Sequence, residues 1–293
     1  MARIVVITHE FDGFNSPTRS GSTRLKYLLR RGHPAKFRRK YLIRFTLEEL
    51  RKRGHSIAVM VGTKKRVPGD VAILHTDCSI VPQDYREAAA EFPIAINAGT
   101  HNITKRFISD AVLDRDSAWQ GPVIVKSNFN SGGGAEEFHN RFAERQGREP
   151  PHPEIRPFRP YQLFDSPSLV PEEFWRDDQL VVEKFVAEPD PEGFAIRNWV
   201  FFGDRETCMR NVSLGRSVKA ADIVRQEPSP VPDELREKRR ELGFQYGKFD
   251  FAIHEGRGIL FDANRTPNSP ESLWKPHEER AGHFADGFES LLD

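Results

Sequence analysis

Over the first hundred residues, short apolar runs alternate with segments whose apolar positions recur at helical spacing, the pattern of a parallel sheet covered by helices. The runs at residues 4–8, 57–61, 71–75 and 94–97 predict strands. Between the first two, Phe37, Tyr41 and Phe45 recur every four residues and predict a helix that stops at Gly54, where a left-handed cap is easiest. From Thr104 the pattern changes. A short helix carries Lys105, residues 122–126 predict a strand ending in Lys126, and Ser131, Gly132, Gly133 and Gly134 form a loop of small residues. Seven prolines between Pro150 and Pro171 predict a long surface connection, because proline removes a backbone donor. Strands follow at residues 180–186 and 198–202, the second ending at the turn Gly203-Asp204. A helix then runs from a cap at Asp233 through Leu235 and Leu242 to Gly243.

Residues 246–268 hold the densest chemistry. They predict a hairpin with an alternating strand to Ile253, a glycine-containing turn at residues 254–258 and a returning strand from Ile259. Alternation puts Phe249, Phe251 and Ile253 on one face and Lys248 and Asp250 on the other. On the return, Ile259, Phe261 and Ala263 oppose Asp262 and Asn264. One face then suits a core, and the other holds two carboxylates, an amide and an ammonium. Such hard oxygens suit magnesium, which takes few protein carboxylates and completes its shell with water and phosphates; a solvated edge is the alternative. Lys126 could reach phosphates that the amides of the following glycine-rich loop approach closely. A phosphate loop of the Gly-x-x-x-x-Gly-Lys-Ser/Thr type and a Gly-x-Gly-x-x-Gly fingerprint are both absent. A protein-kinase reading of Val-Ile-Val-Lys126 and Asp250-Phe251 fails for want of a His-Arg-Asp catalytic loop.

The chain has 293 residues, 38% of them hydrophobic, enough for two or three packed layers or subdomains. Its 44 Lys and Arg against 43 Asp and Glu create no overall field toward nucleic acid or an anionic membrane. The basic run Arg30, Arg31, Lys36, Arg38, Arg39 and Lys40 reads as the solvated face of a helix in preference to an RNA contact. Two cysteines, Cys78 and Cys208, are too few for a disulfide scaffold and fit a reducing compartment. The run Ile4 to Ile7 is too short for a signal-peptide core, and no stretch approaches the roughly 18 apolar residues of a membrane span. A cytoplasmic location is expected. His9 and Glu10, after the first strand, and His75 and Asp77, at a strand end, are candidates to face a cleft.

In order along the chain, these pieces resemble the ATP-grasp superfamily, which includes D-alanine:D-alanine ligase, glutathione synthetase and the ribosomal-protein glutamate ligases. The resemblance runs from Thr104 to Asn268. It implies an α/β and α+β fold with a Rossmann-like amino-terminal domain at residues 1–103, a central lid subdomain at 104–179 and a carboxy-terminal antiparallel-sheet subdomain at 180–293. Lys105 and Lys126 resemble the family's phosphate-binding lysines, and Ser131, Gly132, Gly133 and Gly134 its glycine-rich flap. Glu183, Lys184, Phe185 and Val186 resemble the adenine hinge, with Glu183 accepting from the exocyclic amine. Asp190 and Glu192 are both candidates to bind ribose, the spacing favouring Glu192. Asp250, Asp262 and Asn264 match the magnesium motif, with Asp262 where glutamate is commoner. Lys248 stands where the D-alanine ligases carry an arginine, and Arg210 and Asn211 resemble residues that contact the γ-phosphate or acyl phosphate.

The resemblance implies ATP and Mg²⁺ as cofactors and ligation of a carboxylate on a small acid or peptide to an amine, through an acyl phosphate. Arg210 and Lys248 would meet the charge developing at the acceptor. A small-molecule kinase and a non-catalytic nucleotide-binding or RNA-contacting module are the alternatives. The expected partners are the acid and the amine, with a homodimer left open and neither membrane nor nucleic acid expected.

Overall fold

Four strands of the amino-terminal third pair in parallel in the order β2-β1-β3-β4, with β1 at Arg3–Thr8, β2 at Ser56–Val61, β3 at Val71–Leu74 and β4 at Ile94–Ile96. The computed structural model describes residues 1–12, 41–156, 158, 160–215, 222–269 and 274–292, so Phe37 and the basic run from Arg30 to Lys40 lie outside the described residues. Helix α1 (Ile43–Lys52) puts Ile43, Leu47 and Leu50 on one buried stripe. It covers one face of the sheet with Ile4, Val6 and Ile73, while α2 (Gln83–Ala90) covers the other through Tyr85, Ala88 and Ala89. A sheet buried on both faces accounts for the unbroken apolar letters of its strands. Gly54 follows α1 with φ +94°, as the expected cap requires.

The short helix α3 (Lys105–Ile108) leads into a three-stranded antiparallel sheet, order β6-β5-β7, of β5 (Val123–Ser127), β6 (Gln162–Phe164) and β7 (Leu180–Lys184). Helix α4 (Gly134–Glu144) leaves β5 through the glycine-rich segment, and α5 (Glu172–Arg176) precedes β7. The proline-rich stretch is thus not only a surface connection. It supplies β6, an edge strand flanked by its prolines, where a missing N–H donor is tolerated. Because β7 pairs with β5, the division expected between residues 179 and 180 falls inside one sheet.

The remaining strands, β8 (Glu188–Asp190), β9 (Gly193–Phe202), β10 (Arg205–Ser213), β11 (Ile223–Pro228), β12 (Tyr246–His254) and β13 (Arg257–Asn264), make an antiparallel sheet in the order β11-β10-β9-β12-β13, with β8 beside β9. One face buries Trp199, Phe201, Phe249, Phe251 and Leu260 with Leu235 of α6 (Asp233–Glu241). Pro232 occupies the cap position of α6, and Asp233 lies in its first turn. Helices α7 (Trp274–Glu279) and α8 (Ala281–Glu289) complete the order. Phe284 and Phe288 of α8, with Phe202 and Tyr246, join the antiparallel sheet to the amino-terminal core. The approach is tight at the β9–β10 turn: Gly203 has φ +53°, and a Cβ there would lie 1.8 Å from the carbonyl oxygen of Gly287. No helix among the described residues is long and apolar enough to cross a membrane.

Candidate active site between two sheets

A cavity of about 210 Å³ lies between the three-stranded and the large antiparallel sheets. Alternation on β5 turns Val123 and Val125 into the core behind the three-stranded sheet and Ile124 and Lys126 toward the cavity; on β7, Val182 faces that core and Glu183 the cavity. Phe185, Val186 and Ala187 continue the wall, with Ala195, Ile196 and Phe261 opposite. The cavity is therefore an apolar slot that becomes charged at Lys105, Lys126, Glu183, Lys184, Asp250 and Asp262.

The hairpin departs from strict alternation. Asp250 pairs with Asp262, but Phe251 pairs with Leu260, so Phe261 is an extra residue in the ladder. This bulge returns Leu260 to the core and places Phe261 on the cavity wall, beside Asp262, where simple alternation put it in the core. The turn is also tighter than predicted. Only Glu255 and Gly256 connect the strands, both at positive φ (50° and 78°), which suits a two-residue hairpin.

Three ammoniums at or beside the cavity meet carboxylates, whereas Lys184 of the wall lies over the Trp119 ring, 5.3 Å from its centre. Lys105, 3% exposed, bonds Asp262; Lys126 bonds Glu183 at 2.6 Å; Lys248 bonds Asp250 at 3.0 Å. Lys126 also donates to the Phe261 carbonyl at 3.1 Å. Burial opposes the charge on Asp250, and its carboxyl is pushed up despite Lys248. Burial acts likewise on Asp262, but Lys105 and Lys126 outweigh it and hold that carboxyl below its ordinary value. Lys105 and Lys248 are desolvated, yet Asp262 and Asp250 respectively raise their affinity for the proton. The site therefore keeps charges of both signs.

A chain of amides orients Asp250. Gln226 Nε2 donates to Asn211 Oδ1 at 2.5 Å, Asn211 Nδ2 to Asn198 Oδ1 at 2.6 Å, and Asn198 Nδ2 to Asp250 Oδ1 at 2.6 Å. Asn211 thus acts on the cavity through Asn198. Sequence reasoning missed Asn198 and Gln226; the usable signal was an amide at the alternate positions of β9 that also carry Ile196 and Val200. It missed Tyr161 as well, which reaches the cavity wall from the proline-rich stretch.

Arg210 is not brought to this group. It pairs across the ladder with Arg197, one residue out of phase with Asn198 and Asn211, and so lies on the opposite face of the sheet. There it meets Glu188 at 3.1 Å, Asp190 at 2.8 Å and Glu227 at 2.9 Å. Glu192 is bound to Arg225 at 2.9 Å, Asp190 is bound by both Arg210 and Arg225, and neither acid lines the cavity. Asn264 shares the face of Lys248, its cross-strand partner, with Oδ1 accepting from Thr266 N at 2.8 Å and from Thr266 Oγ1 at 3.2 Å.

Beyond Lys126 the chain makes a left-handed turn. Ser131, Gly132 and Gly133 have φ of 50°, 68° and 75°, and the turn launches α4. Ser131 and Gly134 border a second cavity of about 240 Å³, lined also by Asp12, Tyr41, Asp77 and Arg141. His75 is buried in the same region, its ring 5.0 Å from that of Tyr41.

No protein-family model and no curated protein sequence matches the chain. Among solved structures, it is similar to the ATP-grasp ligase PsnB complexed with minimal precursor, at 12% identity and a TM-score of 0.51, over 100% of this chain and 99% of that one. A second structure of PsnB, with a phosphomimetic variant of the precursor, Mg and ADP, gives 14% identity, a TM-score of 0.50 and the same coverage. The D-alanine–D-alanine ligase from Bacillus anthracis gives 13% and 0.48, over 100% of this chain and 96% of that one. The two sheets facing across a cleft, the parallel amino-terminal sheet and the whole-chain match to PsnB give this chain the ATP-grasp fold.

Proposed function

We propose that the chain is an ATP- and magnesium-dependent ligase that activates a carboxylate as its acyl phosphate and passes the acyl group to an amine. The observation that carries this reading is the set of three ammonium–carboxylate pairs, two of them in the wall of an apolar slot and the third reaching it through Asp250. These groups are balanced in charge, so nucleotide phosphates and a divalent cation can enter together by exchange of partners. The lysines then turn to phosphate and the aspartates to the cation. An adenine ring fits the slot of Ile124, Phe185, Val186, Ile196 and Phe261, with the β7 backbone at its edge.

Asp250 and Asp262 supply the hard oxygen donors magnesium prefers, and Asn264 can join them by releasing Thr266 Oγ1. The ion, when bound, would neutralise phosphate oxygens and hold them in line. Lys105 and Lys126 bind the phosphates, while Lys248 stands beside Asp250 to meet charge at the acceptor. The amide chain from Gln226 keeps Asp250 aimed into the cleft. Ser131, Gly132 and Gly133 form the flap whose backbone amides approach the phosphates. The second cavity, bounded by that flap, receives the acid or peptide, with Arg141 as a cation on its wall. PsnB, named as an ATP-grasp ligase and solved with its precursor, supports a peptide among the substrate classes. The amine captures the acyl phosphate and orthophosphate leaves, so no protein nucleophile is needed; Cys78 and Cys208 are buried thiols outside the cavity.

Hydroxylamine trapping over a panel of small acids and peptides tests the proposal. ADP release with an acyl hydroxamate is expected, whereas a phosphorylated product stable to hydroxylamine would indicate a kinase instead.

A further inference from the structure

Beside the second cavity, whose wall includes His139 and Asp12, three imidazoles converge where the end of β1 meets α4. His9 follows β1, His139 lies on α4, and His152 comes from the proline-rich stretch beyond it. One ring nitrogen from each lies within 4.8 Å of the others. His139 Nδ1 and His152 Nε2 are 3.4 Å apart, and a tetrahedral ion with Zn–N bonds of about 2.0–2.1 Å sets its ligand atoms about 3.3–3.4 Å apart.

Behind His139 stands Asp12, 3% exposed, whose Oδ1 meets His139 Nε2 at 2.7 Å. A carboxylate on the far nitrogen of a ligating histidine fixes the tautomer with the lone pair on the near one and raises ligand basicity. Asp12 is itself fixed, its Oδ2 accepting from the His9 backbone N–H at 2.9 Å. His152 is held equally firmly. Its N–H donates to Asn140 Oδ1 at 2.8 Å and its carbonyl accepts from Asn140 Nδ2 at 2.6 Å, so the residue next to His139 clamps the loop that carries His152. Arg148 closes the junction through two bonds to Glu10, at 2.7 and 3.1 Å.

We propose that His9, His139 and His152 form a binding site for a zinc-class divalent cation, with Asp12 orienting His139 from behind. Three nitrogen donors select such an ion over magnesium, which prefers oxygen. His9 lies stacked on His139, ring centroids 4.2 Å apart and planes at 7°, so a shared ion requires its ring to turn edge-on and give up the 3.2 Å hydrogen bond from Phe11 N–H to Nδ1. Three protein ligands leave the fourth position to solvent. The ion would tie the first strand to the helix launched by the glycine turn.

The test is equilibrium dialysis of the whole protein against micromolar zinc with millimolar magnesium present, read by metal analysis, and titration with cobalt(II), read by visible absorption. The Asp262→Asn protein is run in parallel, so that binding at the cleft carboxylates is told apart from binding at the imidazoles. One zinc per chain is expected in both proteins, with the intense visible bands of four-coordinate, nitrogen-bound cobalt. His152→Ala should abolish those bands, and Asp12→Asn should weaken zinc binding by about 10- to 100-fold, each with circular dichroism matching the parent. Failure of the folded parent to retain zinc, or retention undiminished in His152→Ala, overturns the proposal. Because the parent titration needs no variant to fold, the outcome stands even if Asp12→Asn proves unstable.

Discussion

Lys126 and Glu183 offer the sharpest test of why buried charge is kept in the cleft. Their side chains are 8% and 1% exposed and their charged atoms 2.6 Å apart. Glu183 Oε1 has no hydrogen-bond partner among the described residues. A pair so desolvated is poor at stabilising a fold, because Coulomb attraction scarcely repays the lost hydration. Breaking it from one side is different. Lys126→Met leaves the Glu183 charge buried without its hydrogen-bonded partner, at a cost of about 3–5 kcal/mol. With an unfolding entropy of about 2.1 cal/mol/K per residue over 293 residues, roughly 0.6 kcal/mol per degree, the loss lowers Tm by about 5–8 °C.

The double variant Lys126→Met/Glu183→Met removes both charges and fills the space with carbon and sulfur. Its stability should return to within about 1–2 kcal/mol of the parent, since buried pairs are often replaceable by apolar groups of similar volume. Nucleotide binding should not return. Loss of one charge-assisted hydrogen bond to phosphate, about 1.5–3 kcal/mol, weakens ADP by roughly 10- to 150-fold. Thermal melts give the first quantity and calorimetric titration with Mg and ADP the second. A double variant as unstable as Lys126→Met would refute the assignment of the loss to an orphaned charge. One that binds ADP like the parent would remove Lys126 from the phosphates.

Asp262→Asn should abolish magnesium-dependent ATP turnover yet lower Tm by only a few degrees, roughly 1–3 kcal/mol, because the asparagine oxygen can still accept from the buried Lys105; a coupled ADP-release assay and a melt decide. Arg210→Met should destabilise the sheet while leaving kcat and the KM for ATP within about threefold of the parent, a difference under roughly 1 kcal/mol, and a loss of kcat with normal stability would return Arg210 to the chemistry. The Arg210 guanidinium, helped by the Glu192 N–H and by Arg225, holds the Asp190 carboxyl down at about 2. Since that lies below the roughly 3.9 of an unfolded chain, its stabilising effect is complete above about pH 4 and fades as pH falls through the folded value. Asp190→Asn should therefore flatten the acid limb of Tm between roughly pH 4 and 2, and an unchanged slope in that window would contradict the pairing.

The parallel sheet could be read in the sequence because its strands are covered on both sides by α1 and α2, which leaves almost no polar letters to break the runs. Most of the hairpin was readable for the opposite reason, since its faces meet different surroundings and the letters alternate. Where geometry departed from alternation, the sequence was silent. A one-residue bulge at Phe261 leaves a string that still reads apolar, acidic, apolar, and only the pairing of Phe251 with Leu260 shows that Phe261 has changed sides. Strand β6 was hidden by prolines that mark a loop anywhere except an edge.

The placement of Arg210 follows from the same geometry, and it limits what a motif of adjacent letters can mean in a strand. Neighbouring residues of an unbulged strand face opposite ways, so Arg210 and Asn211 cannot both point into one cleft. The irregularity in β10 comes later, between Val212 and Ser213, and does not relieve the conflict. Asn211 is committed to the cleft side by its bond to Asn198 and, through it, to Asp250. Arg210 is committed to the other side by three carboxylates. In the proposed reaction, a cation for the transferring phosphoryl group would then come from the face that Asp250 shares. Lys248, two residues before Asp250 on β12 and bonded to it, meets that requirement by register alone.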